Sequence, residues 1–299
     1  MAFQFKKISN AGASHPIVAR LGLQTMDMIR AASLDEDKKE KITSLYVIKL
    51  TQRLLKCEEA FKVIQTKIHD DTERVRENIS RDSKSFEVPF IVGLDGHIED
   101  FLYAAKNFLR DLLGLFQIAY GCELKDAKVF GDLPEKGTIE IAKWAAKNFG
   151  TGDRLVALLK SEQDWTTELI RKRNAVEHPG DKSGSLTVNN IGLHHSNTAL
   201  VPPSWYRTGL PETDVVTDMT IYVQNLLTLA EDVLADLVIR SSQSTYLVVY
   251  QIPERDRDPQ GPVRLKLGLN PDLFASLQET AAKTAPRVSE AASNPTEAD

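Results

Sequence analysis

The sequence predicts a mainly α protein with long N-terminal helices and a small C-terminal β-hairpin. Apolar residues recur at alternating spacings of three and four along most of the chain up to Arg240, whereas strict alternation is confined to two short segments after it. No apolar run approaches the length of a membrane span, so no membrane partner is expected. The pattern divides the 299 residues into a long-helix region at 1–94, a helical bundle at 95–240 with a loop insertion at 179–212, a hairpin extension at 241–279 and a disordered tail at 280–299.

The first helix opens at Ser14-His15-Pro16, because proline at the first helical position sacrifices no hydrogen bond; Ile17, Val18, Leu21 and Ile29 form its apolar side, and it ends near Ala32. Ser33-Leu34-Asp35-Glu36 reads as a capping box in which Ser33 and Glu36 satisfy two backbone donors of the next helix. That helix is very long: Leu50, Leu54, Cys57, Phe61, Ile64 and Ile68 form its stripe, extended by Val75 and Ile79. Such a stripe suits an intramolecular core face better than a dimer seam.

Ser83 to Pro89 breaks the pattern. Asp95 to Tyr120 resumes it with Ile98, Phe101, Leu102, Ala105, Leu109, Leu112, Leu113 and Phe116 on one face, and Gly121 stops it. A shorter helix begins at Thr138-Ile139-Glu140-Ile141 and ends in a left-handed cap at Gly150; Asp153 then opens a helical region, with a break near Ser161, that reaches His178. Pro179 to Pro211 is a Gly-, Ser-, Asn- and Pro-rich connection holding a strand-like piece around Leu186-Thr187-Val188. Its length implies structure or function of its own. Thr213 to Arg240 is again helical, with Met219, Val223, Leu226, Leu227, Ala230 and Leu234 on its stripe. Tyr246–Ile252 and Val263–Leu269 are strands of a hairpin. The last twenty residues have almost no large apolar side chains, the composition of disorder.

Composition narrows the function. With 42% hydrophobic and 26% charged residues the chain can bury a sizeable core. Cys57 and Cys122 are too few and too far apart for a disulfide framework or a cysteine zinc site, which points to a reducing cytoplasm. No apolar segment of signal-peptide type follows Lys6-Lys7. A net charge of −5 excludes a protein that coats nucleic acid through bulk electrostatics, so any RNA contact must be local. Neither a phosphate-binding glycine loop, nor a serine nucleophile elbow, nor a His-Glu-x-x-His helix is present, and neither metal nor cofactor is expected. His194-His195 resembles a metal pair only superficially, because neighbouring side chains in an extended segment point apart and no third ligand stands nearby.

One segment carries chemistry: Arg171-Lys172-Arg173-Asn174-Ala175-Val176-Glu177-His178-Pro179-Gly180. Pro179 disfavours helical geometry at His178, placing that residue at a helix C-terminus, where the helix dipole favours the imidazolium form. RNA supplies its own nucleophile, the 2'-hydroxyl. Cleavage therefore needs only a base for that proton, an acid for the departing 5'-oxygen and a cation to stabilise the charge gathering on phosphorus. Imidazole and guanidinium suit those tasks, and Asn174 can orient either group or bind ribose. Two features stand against a simple reading. Residues five apart on a helix differ by about 140°, so Arg173 and His178 do not share a regular helix face. Arg173 and Glu177 also stand at i,i+4, the spacing of an ordinary intrahelical ion pair, with His178 capping carbonyls.

Arg173-Asn174-Ala175-Val176-Glu177-His178 resembles the motif of the HEPN superfamily: Arg, a polar residue and His within four to six positions near a helix end. The helix order loosely extends the likeness over Asp95 to Arg240, making 95–240 a HEPN-like helical bundle. The resemblance implies a metal-independent endoribonuclease acting as a homodimer, with two motifs facing one cleft, Arg173 and His178 catalytic, Asn174 supporting them and a cyclic phosphate left on the upstream product. Such domains serve in toxin, antiphage or stress systems. Many also carry an acidic residue on an earlier helix to hold the Arg, for which Glu99, Asp100 and Asp111 are candidates. The long N-terminal helices and the hairpin lie outside the minimal domain and are available for dimerisation or for a regulatory protein partner. Arg171 and Lys172 beside the motif, with Trp205, Tyr206 and Arg207 of the Pro202-Pro203-Ser204-Trp205-Tyr206-Arg207 run, offer cations and aromatic surface for binding substrate RNA, although packing of that loop on the bundle accounts for the run better. The alternative from another functional class is a non-catalytic HEPN-like interaction module that binds a nucleotide, RNA or a protein partner through the same cleft.

Overall fold

A computed structural model describes residues 10–80, 88–131, 137–194, 200–242 and 247–270, with side chains from 10–75 in the first of these segments. Helix α1 runs through Pro16–Val18, a π-helical turn Ala19–Leu23 and Gln24–Ala31. Helix α2 follows as Glu36–Ser44, a second π turn Leu45–Leu50 and Thr51–Ser80. The capping box is displaced from its expected position: Asp35, not Ser33, caps α2, its carboxylate accepting the Lys38 N–H at 2.8 Å. An ionised acceptor at the N-cap makes the stronger, charge-assisted bond and complements the helix dipole.

Helix α3, Leu94–Tyr120, is the centre of the bundle, burying Phe101, Phe108, Leu112 and Phe116. It ends as expected at Gly121, where φ is 67°. The Gly121 N–H bonds to the Gln117 carbonyl at 3.0 Å and the Cys122 N–H to that of Phe116 at 3.2 Å, the paired bonds that close a helix through a left-handed glycine. Helix α4 is Glu140–Phe149; Gly150 stops it with φ 96° but with extended ψ of 152°, so the predicted left-handed helical cap is replaced by a different glycine conformation. Helices α5, Arg154–Ser161, and α6, Gln163–Glu177, meet at the break expected near Ser161.

The 179–212 insertion is structured. Strands β1 (Leu186–Asn189), β4 (Ser204–Arg207) and β5 (Thr213–Asp214) form an antiparallel sheet in the order β1-β4-β5, while β2 (Gly192–Leu193) pairs with β3 (Leu200–Val201). Asp214 caps helix α7, Val215–Ser241, by accepting the Thr217 N–H at 2.6 Å. The predicted hairpin is present as β6 (Leu247–Gln251) and β7 (Leu265–Leu269), antiparallel with Val249 opposite Leu267. The expected break at 83–89 falls partly, and the 280–299 tail wholly, outside the described residues.

One hydrophobic core runs from Ile17 through α3 and α7 to Leu265, so neither residue 94 nor residue 241 marks a break in packing. The Tyr46 hydroxyl of α2 donates to the Ala230 carbonyl of α7 at 2.8 Å. Glu231 of α7 is fully buried and accepts from Arg20 of α1, from Gln24 at 2.9 Å and from Arg264 at 2.7 Å. Gln24 in turn accepts the N–H groups of Arg264 and Leu265 at 2.9 and 2.6 Å. A buried carboxylate needs such a set of donors, and these fasten the hairpin and the first helix to the same turn of α7. Among the described residues no helix is long and apolar enough to cross a membrane.

Candidate functional site

The site forms where α6 ends against α3. Glu177 is the last helical residue; His178 leaves the helix at φ −132°, ψ 69°, its N–H still bonded to the Asn174 carbonyl at 2.8 Å. Pro179 enforces that exit. A tight turn follows, with the Asp181 N–H on the His178 carbonyl at 3.2 Å and Gly184 at φ 71°. A Cβ at Gly184 would lie 2.9 Å from that of Thr208, so only glycine lets the turn pack against the end of β4.

The distorted helix end answers the angular objection within one copy. Arg173 forms an ion pair with Oε2 of Glu177, and the same oxygen lies 3.4 Å from Nε2 of His178. The three side chains differ greatly in access: Arg173 is 11% exposed, Glu177 31% and His178 59%. The i,i+4 pair read from the sequence is thus formed. The Arg173 guanidinium also stacks 4.5 Å from the ring centroid of Tyr103 on α3. Burial pulls this guanidinium below its ordinary range, against the opposing effects of Tyr103 and Asp126, and its Nε is buried without a hydrogen-bond partner. Asn174 accepts from Lys106 of α3 at 3.0 Å.

His178, Asn174 and Glu177 line an open cleft of about 520 Å³ that Lys106, Lys128 and Lys182 also border. Asp126 and Asp181 stand on the same walls, which leaves the cleft of mixed charge rather than uniformly basic. Arg173, with its low exposure, does not itself line it.

The substrate-binding residues expected from the sequence fare differently. Lys172 is buried, its Nζ 2.6 Å from Asp218 and 4.1 Å from the Trp205 ring centroid. Trp205 is fully buried and donates from Nε1 to the same Asp218 oxygen at 2.6 Å. Arg207 is buried too, held by Glu168 at 3.1 and 2.6 Å and by the Ser183 carbonyl at 2.9 Å. These three are corrected from ligand contacts to internal struts: β4 lies between β1 and β5 in its sheet, and its alternation turns Trp205 and Arg207 inward. Tyr206, on the opposite face of β4, and Arg171 are half-buried, and neither borders the cleft.

None of the acidic candidates on α3 holds Arg173. Asp111 pairs with Arg53 at 2.9 Å, and Glu99 and Asp100 are exposed. The carboxylate comes from Glu177 on the same helix, while α3 contributes Tyr103 and Lys106. Those two were missed because they lie beside the apolar stripe as ordinary surface positions; only the meeting of α3 with α6 gives them a role. His194 is exposed, and His195 lies outside the described residues. No protein-family model, curated protein or solved structure matches the chain.

Proposed function

We propose that the chain is a metal-independent endoribonuclease of HEPN type, acting on single-stranded RNA as a homodimer. The observation that supports this most is the shared carboxylate oxygen: it gathers Arg173 and His178, 140° apart on an ideal helix, at one helix end, with the imidazole open to a cleft.

In this reading an RNA phosphate replaces Glu177 at the Arg173 guanidinium, whose fork matches two phosphate oxygens. The imidazole of His178 takes the proton from the 2'-hydroxyl, whose oxygen attacks phosphorus, and Arg173 stabilises the charge of the five-coordinate intermediate. The P–O5' bond then breaks, leaving a 2',3'-cyclic phosphate upstream and a 5'-hydroxyl downstream. The proton for the 5'-oxygen comes from an imidazolium, supplied by the second copy across the dimer cleft. Lys106 donates to the Asn174 side-chain oxygen at the cleft wall, where the amide meets ribose.

The test is incubation of purified protein with single-stranded RNA in chelator, with the product ends mapped. Cyclic phosphate ends, lost in His178→Ala with the helical circular dichroism unchanged, are expected; cleavage that chelator abolishes overturns the mechanism. A second reading, a non-catalytic RNA-binding module, is favoured by the low exposure of Arg173 and its pairing with Glu177. RNA binding without cleavage selects it.

A further inference from the structure

The aromatic residues singled out in the sequence are inside the protein or away from the cleft, yet an exposed aromatic ring does adjoin the Arg173 site. Tyr103 is 39% exposed, although its neighbours Leu102 and Ala104 are buried. The Arg173 guanidinium lies over one face of the ring, its carbon 4.5 Å from the centroid. One helical turn further along α3, Lys106 holds Asn174 and borders the His178 cleft. Tyr103 also borders a groove of about 460 Å³ between α2 and α3, of mixed charge, with Arg53, Lys56 and His97 beside Glu59 and Asp100. Tyr103 therefore borders this groove and also meets the guanidinium assigned to the scissile phosphate.

We infer that Tyr103 is a stacking platform for an unpaired nucleobase of the RNA whose phosphate lies at Arg173. This rests on the reading of Arg173 and His178 as an RNA site. The physical case is independent of cleavage. A phenol ring offers a π-face to any base without regard to sequence, and a guanidinium beside it supplies the charge that holds the adjoining phosphate. Such an arrangement needs an exposed ring next to a cation, and Tyr103 with Arg173 meets that requirement where Trp205 with Lys172 does not. The ligand class is single-stranded RNA, since a base in a duplex keeps its faces covered by its neighbours.

The experiment uses a single-stranded 2'-O-methyl oligonucleotide, which lacks the nucleophile and so cannot be cut, and its counterpart carrying abasic positions throughout. Tyr103→Leu preserves apolar bulk but removes the π-face, and Tyr103→Trp restores one. The expected result is binding of the intact oligonucleotide weakened by roughly 5- to 100-fold in Tyr103→Leu and recovered in Tyr103→Trp, with the abasic probe bound equally by wild type and Tyr103→Leu. Equal weakening for both probes means that Tyr103 acts only by holding Arg173, and overturns the inference; so does unchanged binding, or absence of binding to the intact oligonucleotide by wild type. If His178-dependent cleavage persists while Tyr103→Leu has no effect, the stacking role falls and the nuclease reading stands. A probe-dependent Tyr103 effect without cleavage leaves the base site standing and removes the catalytic reading.

Discussion

Nε2 of His178 lies 3.4 Å from Oε2 of Glu177, the oxygen that also holds the Arg173 guanidinium. Consecutive residues on a helix diverge by about 100°, so this approach requires His178 to have left the helix, as its φ of −132° records. Glu177 thereby plays two parts. It brings the cation and the imidazole to one place, and it occupies the guanidinium position that a phosphate would need.

Removing the charge of Glu177 while keeping its shape should therefore favour an anionic ligand. Glu177→Gln is expected to tighten binding of uncleavable 2'-O-methyl RNA about fivefold, on the order of 1 kcal/mol for a partly exposed pair. In an Arg173→Met background the same change should have no such effect, since the gain comes from freeing the guanidinium. Titration of the four proteins with labelled oligonucleotide gives the coupling directly, and weaker binding by Glu177→Gln would refute displacement.

The pair of Arg207 with Glu168 should respond asymmetrically to truncation. Arg207 is 8% exposed and Glu168 31%. Glu168→Ala strands a buried guanidinium and is expected to cost about 3 kcal/mol, whereas Arg207→Met leaves a carboxylate that water can reach and should cost about 1 kcal/mol. Arg207 also holds the Ser183 carbonyl in the turn after His178, so Arg207→Met should slow RNA cleavage beyond its effect on stability. Urea denaturation ranks the two variants; the reverse order would contradict this account.

Asp218 should contribute to acid sensitivity. Burial pushes its carboxyl up, but hydrogen bonds from Lys172, Thr213 and Trp205 together with the Lys172 charge outweigh burial and bring it below the usual carboxylate range. A group depressed in the folded state stabilises the fold above its unfolded pKa of about 4 and loses that contribution as pH falls through the lower folded value. Lys172 shifts down as well, burial outweighing Asp218, so its ammonium depends on that partner. Wild type should thus lose its stability advantage over Asp218→Asn as the pH is lowered from 5 toward 3. Denaturation midpoints measured across that range check it, and a gap constant with pH would exclude Asp218 as the source.

The legibility of the chain varied by the range of the interaction concerned. Helix ends set by neighbouring residues were readable: Gly121, Asp153, the break near Ser161 and the Pro179 exit all stand where their chemistry requires. The α2 cap moved by two residues because Asp35 offers a stronger acceptor than Ser33, a competition within one turn that the capping-box pattern does not rank. Trp205 and Arg207 offered an aromatic ring and a cation in a polar loop, and the sequence favoured packing of that loop without showing what it packs against. Pairing of β4 with β1 and β5 converted that loop into a sheet, and period-two alternation then set both side chains against the core.

By itself the sequence determined the helices, the hairpin, the Pro179 exit and the Arg173-to-Glu177 spacing, because these depend on residues within a few positions of one another. Only the tertiary structure decided which of those side chains open onto a cleft, that Lys172 is a buried strut, and that Tyr103 and Lys106 belong beside Arg173 and Asn174. Tyr103 and Arg173 are 70 residues apart, and their contact follows from the rotation at which α6 packs on α3. That rotation is fixed by the shape of a core assembled from the whole chain, which no local pattern records.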